Sequence, residues 1–264
     1  MTPSEIAPDV YVTISPTYLT TTTIVVGADD GCLLIDPALT PGELAILGEW
    51  LASRGLRPVA GWATHAHWDH VLWAAVLGGS VPRYATAGAV AACARDRSVM
   101  IAEMSAEAPG HDLGLFGQLE VVPEGGRVPW DGPAALVITH DAHSPGHGAV
   151  FLPEAGVLAA GDMLSDVEIP LLDASGDDPF GQYRAGLARL ASQSGVRLVV
   201  PGHGHVGDAE ELRRRVAADF RYLDTVEAGG DLAAADDHRL GAPGAAWLEA
   251  EHASQLQLAG LLGQ

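Results

Sequence analysis

Short apolar runs rich in β-branched residues alternate with turn residues along the first third of the chain. Val10–Ile14 and Thr20–Val26 read as strands, and Cys32–Ile35 as the strand returning from a turn at Gly27–Gly31. That third run ends at Asp36-Pro37. The spacing becomes helical from Pro41, with proline in the first turn and Gly55 past the end. Val59–Ala63 is a short apolar strand that leads straight into a group of His and Asp residues. Leu72–Leu77 predicts a short buried helix and Thr86–Asp96 another. Residues 97–118, with Met100, Met104, Pro109, Gly110, His111 and Phe116, are less regular: a wall over a site, or a connector.

The second half repeats this order. Leu119–Val122, Ala135–Thr139, Ala149–Leu152 and Val157–Ala160 read as strands, Asp178–Ala191 as a helix and Leu198–Val200 as a buried strand. Helical stretches close the chain at about 208–227 and 244–262. Strands thus fall into two groups, each followed by helices, with no Pro- or Ser-rich linker between them. The expectation is one α/β domain over residues 1–264, built from two β-plus-α halves, with the C-terminal helices at about 208–264. Trp247, Leu248, Leu256, Leu258 and Leu261 lie at helical spacing; core packing is the first reading, a homodimer contact or a lid the second.

Chemistry concentrates at strand ends. Thr64-His65-Ala66-His67-Trp68-Asp69-His70 places four candidate metal ligands within six residues, directly after a buried strand. On extended backbone, residues two apart point the same way, so His65 and His67 can grip one ion. Asp69 and His70 follow where the chain turns, within reach of a second. Packing does not explain four such ligands at this density. Three later segments set a ligand type beside glycine after an apolar strand: Ser144-Pro145-Gly146-His147, Gly161-Asp162 and Pro201-Gly202-His203-Gly204. With the first segment they supply five histidines and two aspartates, enough for two ions in nitrogen and oxygen coordination. His147 is taken over His143 and His140 for its Pro-Gly-His context, and His203 over His205 for its Gly-His-Gly context. His111, His238 and His252 have no supporting spacing.

In this order, the HxHxDH segment, SPGH, the strand-borne Gly-Asp and PGHG resemble the metallo-β-lactamase fold superfamily over positions from about 10 to 205, with Asp36 matching its early aspartate. The resemblance implies a four-layer αββα sandwich with the site along one edge of two sheets. It implies one metal on His65, His67 and His147, a second on Asp69, His70 and His203, and Asp162 bridging both. Asp36 would orient the ligand loop. The implied cofactors are two Zn²⁺, with Fe or Mn as alternatives, supplying a hydroxide nucleophile whose proton Asp69 is placed to move.

Composition narrows the branch. The chain has 264 residues, 14 basic against 34 acidic, for a formal charge of −20, and every basic residue is arginine. Lysine-based nucleophiles are thereby excluded, and a nucleic-acid backbone or an anionic membrane surface is disfavoured as a partner. An aspartate rather than a cysteine at the bridging position resembles the lactonase and glyoxalase-II-like members, whereas dedicated zinc β-lactamases often add a lysine for the drug's carboxylate. One arginine after Arg221 disfavours a glutathione thioester. The expected function is therefore hydrolysis of a small, neutral or apolar ester, lactone, thioester or amide, β-lactams included. The alternative is a non-haem iron oxidoreductase of the persulfide-dioxygenase kind on the same fold. Asp166–Leu172, Trp68, Met100, Met104 and Phe116 are expected to line the pocket, and Tyr183 to sit in the core. The absence of a leader-like start and the two cysteines, read as free thiols, point to a cytoplasmic protein.

Overall fold

The computed structural model describes residues 2–122, 126–242 and 244–262. Strands β1 (Ser4–Ala7), β2 (Val10–Ile14), β3 (Thr21–Val26), β4 (Gly31–Ile35), β5 (Arg57–Trp62), β6 (Arg83–Ala85) and β7 (Glu120–Val121) form one sheet in that spatial order. Its first four strands run antiparallel as a meander, and β4 to β7 pair in parallel. A second sheet has the order β12-β11-β10-β9-β8, with β8 (Leu136–His140), β9 (His147–Leu152), β10 (Val157–Gly161), β11 (Leu198–Pro201) and β12 (Gly207–Asp208).

Both sheets are buried on both faces, and alternation along the strands sorts their side chains into three apolar layers. Val25, Leu33 and Ile35 of the first sheet meet Val150, Leu152, Val157 and Ala159 of the second between the sheets. The intervening residues Ile24, Cys32 and Leu34 face α1 (Pro41–Ser53) and α2 (Ala87–Glu107). Ala149, Phe151, Leu158 and Val199 face α3 (Pro179–Ala191), α4 (Ala209–Glu227) and α6 (Ala246–Leu262), while α5 (Leu232–Ala235) is a single turn. The result is the helix–sheet–sheet–helix arrangement expected from the sequence.

Local signals set the helix starts. Thr40 caps α1 in a reciprocal box with Glu43: the Glu43 amide donates to Thr40 Oγ1 at 3.2 Å and the Thr40 amide to Glu43 Oε2 at 2.8 Å. Asp178 caps α3 just before Pro179, and Asp208 accepts from the Glu210 and Glu211 amides at the start of α4. Two expectations need correction. Leu72–Leu77 is not a helix but an irregular segment ending in one 3₁₀ turn at Ala75–Leu77. The helix expected to stop at Asp96 runs on to Glu107, because no proline or glycine follows Gly88 until Pro109 and because Met100 and Met104, four apart, continue the buried stripe. Short β1, β6 and β12 carry too few apolar residues to register as strands in the sequence.

The sheets are pinned together along one edge. Trp62 Nε1 donates to the Gly148 carbonyl at 2.8 Å and the Gly148 amide to the Thr64 carbonyl at 2.7 Å. The Thr21 amide and hydroxyl donate to the carbonyls of Gly202 (2.7 Å) and Pro201 (2.6 Å). Both cysteines are free and buried. Among the described residues, no helix is long and apolar enough to cross a membrane.

Candidate metal centre

Five strand ends converge on this pinned edge. β4 delivers Asp36, β5 the loop 63–70, β8 the loop 141–146, β10 Asp162, and β11 His203. The 63–70 loop is organised by Asp36, which is only 3% exposed. Its Oδ1 accepts from the Thr64 amide at 2.8 Å, and its Oδ2 from the Thr64 hydroxyl at 2.6 Å and from His70 Nδ1 at 2.9 Å. One carboxylate therefore fixes both ends of the loop that carries His65, His67, Asp69 and His70.

Two groups of ligand atoms result, each with its atoms within 4.8 Å of one another: His65, His67, His143 and Asp162 in one, and Asp69, His70 and His203 in the other. His67 Nδ1 is 3.0 Å from both His65 Nε2 and His143 Nε2. His203 Nε2 lies 3.1 Å from Asp69 Oδ2 and 3.3 Å from His70 Nε2. Asp162 sits between the groups: its Oδ1 is 3.1 Å from His70 Nε2, and its Oδ2 is 3.4 Å from the Nε2 atoms of both His65 and His143. Gly202 makes room for this carboxylate, since a Cβ there would lie 1.9 Å from Asp162 Oδ1.

Each imidazole of the two groups but His67 has an outward partner that accepts a hydrogen bond from its Nδ1–H. His65 donates to the Thr64 hydroxyl at 3.0 Å, which itself donates to Asp36. His70 donates to Asp36, His143 to the Leu171 carbonyl at 2.8 Å, and His203 to the Tyr18 carbonyl at 2.8 Å. Nε2 of His65, His70, His143 and His203 and Nδ1 of His67 point inward among carboxylate oxygens, a donor set suited to divalent metal ions, whose binding displaces any proton these nitrogens carry. Burial holds His65 well below the usual histidine range and His67 down at about 4, so both offer neutral imidazoles. Burial also opposes charge on His70, but the carboxylates of Asp162, Asp69 and Asp36 outweigh it and raise that pKa. Asp162, likewise desolvated, is held ionised by His70 and His203.

Six of the seven expected ligands fall within these groups; His147 does not. It is the first residue of β9, paired with His140 across the ladder, and its ring is fully buried behind His65. The two rings stack at 5.0 Å and 17°, His140 stacks on the far side at 4.5 Å, and neither nitrogen of His147 has a partner. His143 occupies the place expected for His147. The reason is the turn between them: Gly146, at φ +67°, packs so closely on α2 that a Cβ would meet Gly88 Cα at 2.6 Å. The residue before that turn stays in the edge loop, while the residue after it is already back in the sheet. His205 lies apart, half exposed and paired with Asp166 at 2.9 Å.

The groups floor a cleft of about 690 Å³. Glu168 and Leu171, from the expected wall Asp166–Leu172, line it together with Trp68. Met100, Met104 and Phe116 do not; they are buried between α2 and the first sheet, and Tyr183 is core as expected. Tyr18, Glu103, Glu107 and Trp247 complete the rim: the two glutamates come from the stretch 97–118 read as a wall or a connector, and Trp247, read first as core, is 47% exposed here, whereas Tyr18 carried no signal in the sequence. Burial pushes the Glu168 carboxyl up to about 7.

Comparison with known proteins agrees with this fold. Over 191 residues the chain is 26% identical to the probable metallo-hydrolase YqgX of Bacillus subtilis, covering 67% of this chain and 82% of that protein. A β-lactamase domain protein from Burkholderia ambifaria superposes with a TM-score of 0.70 at 20% identity, over 99% of this chain and 88% of its own. TTHA1623, solved in a di-iron-bound form, superposes with a TM-score of 0.61 at 28% identity, over 77% of this chain and 97% of its own. The sequence also matches the family model of the metallo-beta-lactamase superfamily over residues 16–203, so the chain belongs to that superfamily.

Proposed function

We propose that this protein is a dinuclear metallohydrolase that cleaves a small ester, lactone, thioester or amide. The observation that carries the reading is Asp162, whose two oxygens face the two ligand groups at the floor of one cleft. The di-iron form of TTHA1623 supports two ions on such a scaffold. The imidazole-rich donor set suits zinc, with iron or manganese as the alternatives.

His65, His67 and His143 would hold one ion and Asp69, His70 and His203 the other, with Asp162 shared. When bound, such ions acidify water toward neutrality and polarise a carbonyl oxygen. The chain's own residues supply the rest. Asp69 engages His203 and His70 through Oδ2, leaving Oδ1 to accept the proton of the attacking water and return it to the leaving group. Trp68 and Leu171 give the cleft apolar walls that limit water around the reacting carbonyl. Among the described residues, no arginine lines the cleft.

The test is a panel of esters, lactones, thioesters and β-lactams, run on metal-quantified protein before and after chelation. The reading expects turnover of at least one class, abolished by chelator and restored by metal. Turnover that survives complete metal removal, or none across the panel, would contradict it.

A further inference from the structure

The rim of the cleft carries charge of one sign. Glu103 and Glu107 stand four apart on the face of α2 that borders the cleft. Like charges at this spacing repel, and helices normally set a basic residue three or four positions away to offset them. Here those positions, the two glutamates aside, hold Val99, Met100, Met104, Ala106, Gly110 and His111, and the Glu103 side chain has no hydrogen-bond or ion-pair partner among the described residues. None of the chain's 14 arginines lines the cleft.

Aromatic rings face the same space. Tyr18 and Trp247 are 48% and 47% exposed, unusual for side chains of this size, and both border the cleft with Trp68. Tyr18 meets Trp68 edge to face at 6.4 Å and 80°. Its hydroxyl donates to Glu107 Oε2 at 2.5 Å, fixing a carboxylate beside the aromatic pair. Aromatic faces and carboxylates combined in one concave site attract a cation, through the ring quadrupole and through charge. An anion gains nothing from either, and a neutral apolar group leaves the carboxylates unused.

We propose that the cleft selects a carbonyl substrate bearing a positively charged amine or quaternary ammonium group, seated between the aromatic rings and Glu103 and Glu107. The inference rests on the hydrolase reading for the bond that is cleaved, but not for the binding of the cation. It narrows the substrate expected from composition from neutral or apolar to cationic.

The experiment has two arms on the metal-loaded, full-length protein. The first compares kcat/KM for 2-(trimethylammonio)ethyl thioacetate with that for the isosteric uncharged 3,3-dimethylbutyl thioacetate. One exposed charge contact and one cation–π contact are each worth a few-fold, so together they predict a preference of about ten-fold for the cation. The preference should fall to about two-fold in Glu103→Gln/Glu107→Gln and should weaken with salt. The second arm measures binding of benzyltrimethylammonium by calorimetry, with Trp247→Ala and the double glutamine variant expected to weaken it at least three-fold. Turnover of both thioesters with no preference, or a preference untouched by the double substitution, overturns the inference. Saturable cation binding that the variants weaken, without turnover of either thioester, supports the cation site and counts against the hydrolase reading. Absence of cation binding overturns the site whatever the turnover.

Discussion

Asp36→Asn tests how the ligand loop is held. The carboxylate is buried and accepts from Thr64 N, Thr64 Oγ1 and His70 Nδ1 at 2.8, 2.6 and 2.9 Å. An asparagine keeps the shape but has only one acceptor oxygen. In its better orientation that oxygen keeps the two contacts now made by Oδ2, and the new amide N–H₂ faces the Thr64 N–H. One buried donor is then left facing another, which costs about 1–3 kcal/mol, and the bond to His70 loses its charge assistance. A total near 2 kcal/mol corresponds to about 30-fold in affinity, within the range found for residues that orient metal-binding histidines. Competition with a chromophoric chelator reads the stepwise affinities. We expect the ion held through His70 to weaken by 10–100-fold and the ion on His65, His67 and His143 to change by less than about five-fold. Unchanged affinity at both steps would refute the assignment of Asp36 as the residue that positions His70.

Three further outcomes follow from the same geometry. His143→Ala should lose one equivalent of metal, whereas His147→Ala should retain both and lose about 2 kcal/mol of unfolding free energy through the cavity it leaves, read by urea denaturation; the reverse pattern would restore His147 as the ligand. Gly202→Ala must displace the Asp162 carboxylate, because its Cβ would lie 1.9 Å from Oδ1, and kcat should drop by at least about 100-fold in a protein that still folds by circular dichroism. His140 carries a pH prediction. Burial holds its pKa at about 4, so the native ring stays neutral while the unfolded chain takes up a proton below 6.5. Its contribution is therefore full above pH 6.5 and lost as pH falls, by about 2 kcal/mol between pH 6.5 and 5, and His140→Gln should remove that part of the slope in urea melts. Equal slopes for the two proteins would contradict the assignment.

Much of the site was legible because its chemistry is local in sequence. His65, His67, Asp69 and His70 share one loop, and a strand immediately before them fixes which way they point. Asp162 and His203 were legible as polar residues at the ends of apolar strands. The choice between His143 and His147 was not, since both flank the same Ser-Pro-Gly turn and only the packing of Gly146 on Gly88 decides which one remains at the edge. The rim was only partly legible. Trp247 lay in a helical stripe read first as core, Glu107 in the stretch 97–118 read as a wall or a connector, and only tertiary folding brings both to Tyr18. In the fold, β-branched runs marked the long strands, while the full length of α2 was hidden because only Met100 and Met104 of its side chains are buried after Asp96.

Two divalent ions that share Asp162 are proposed to power hydrolysis. Titrating zinc, iron or manganese into metal-free protein while following turnover of the best substrate tests this most directly. The account predicts that activity rises to a plateau at two equivalents per chain, and that Asp162→Ala binds the second ion at least about 100-fold more weakly with activity near background. A plateau at one equivalent in the unsubstituted protein, or full activity in Asp162→Ala, would contradict it.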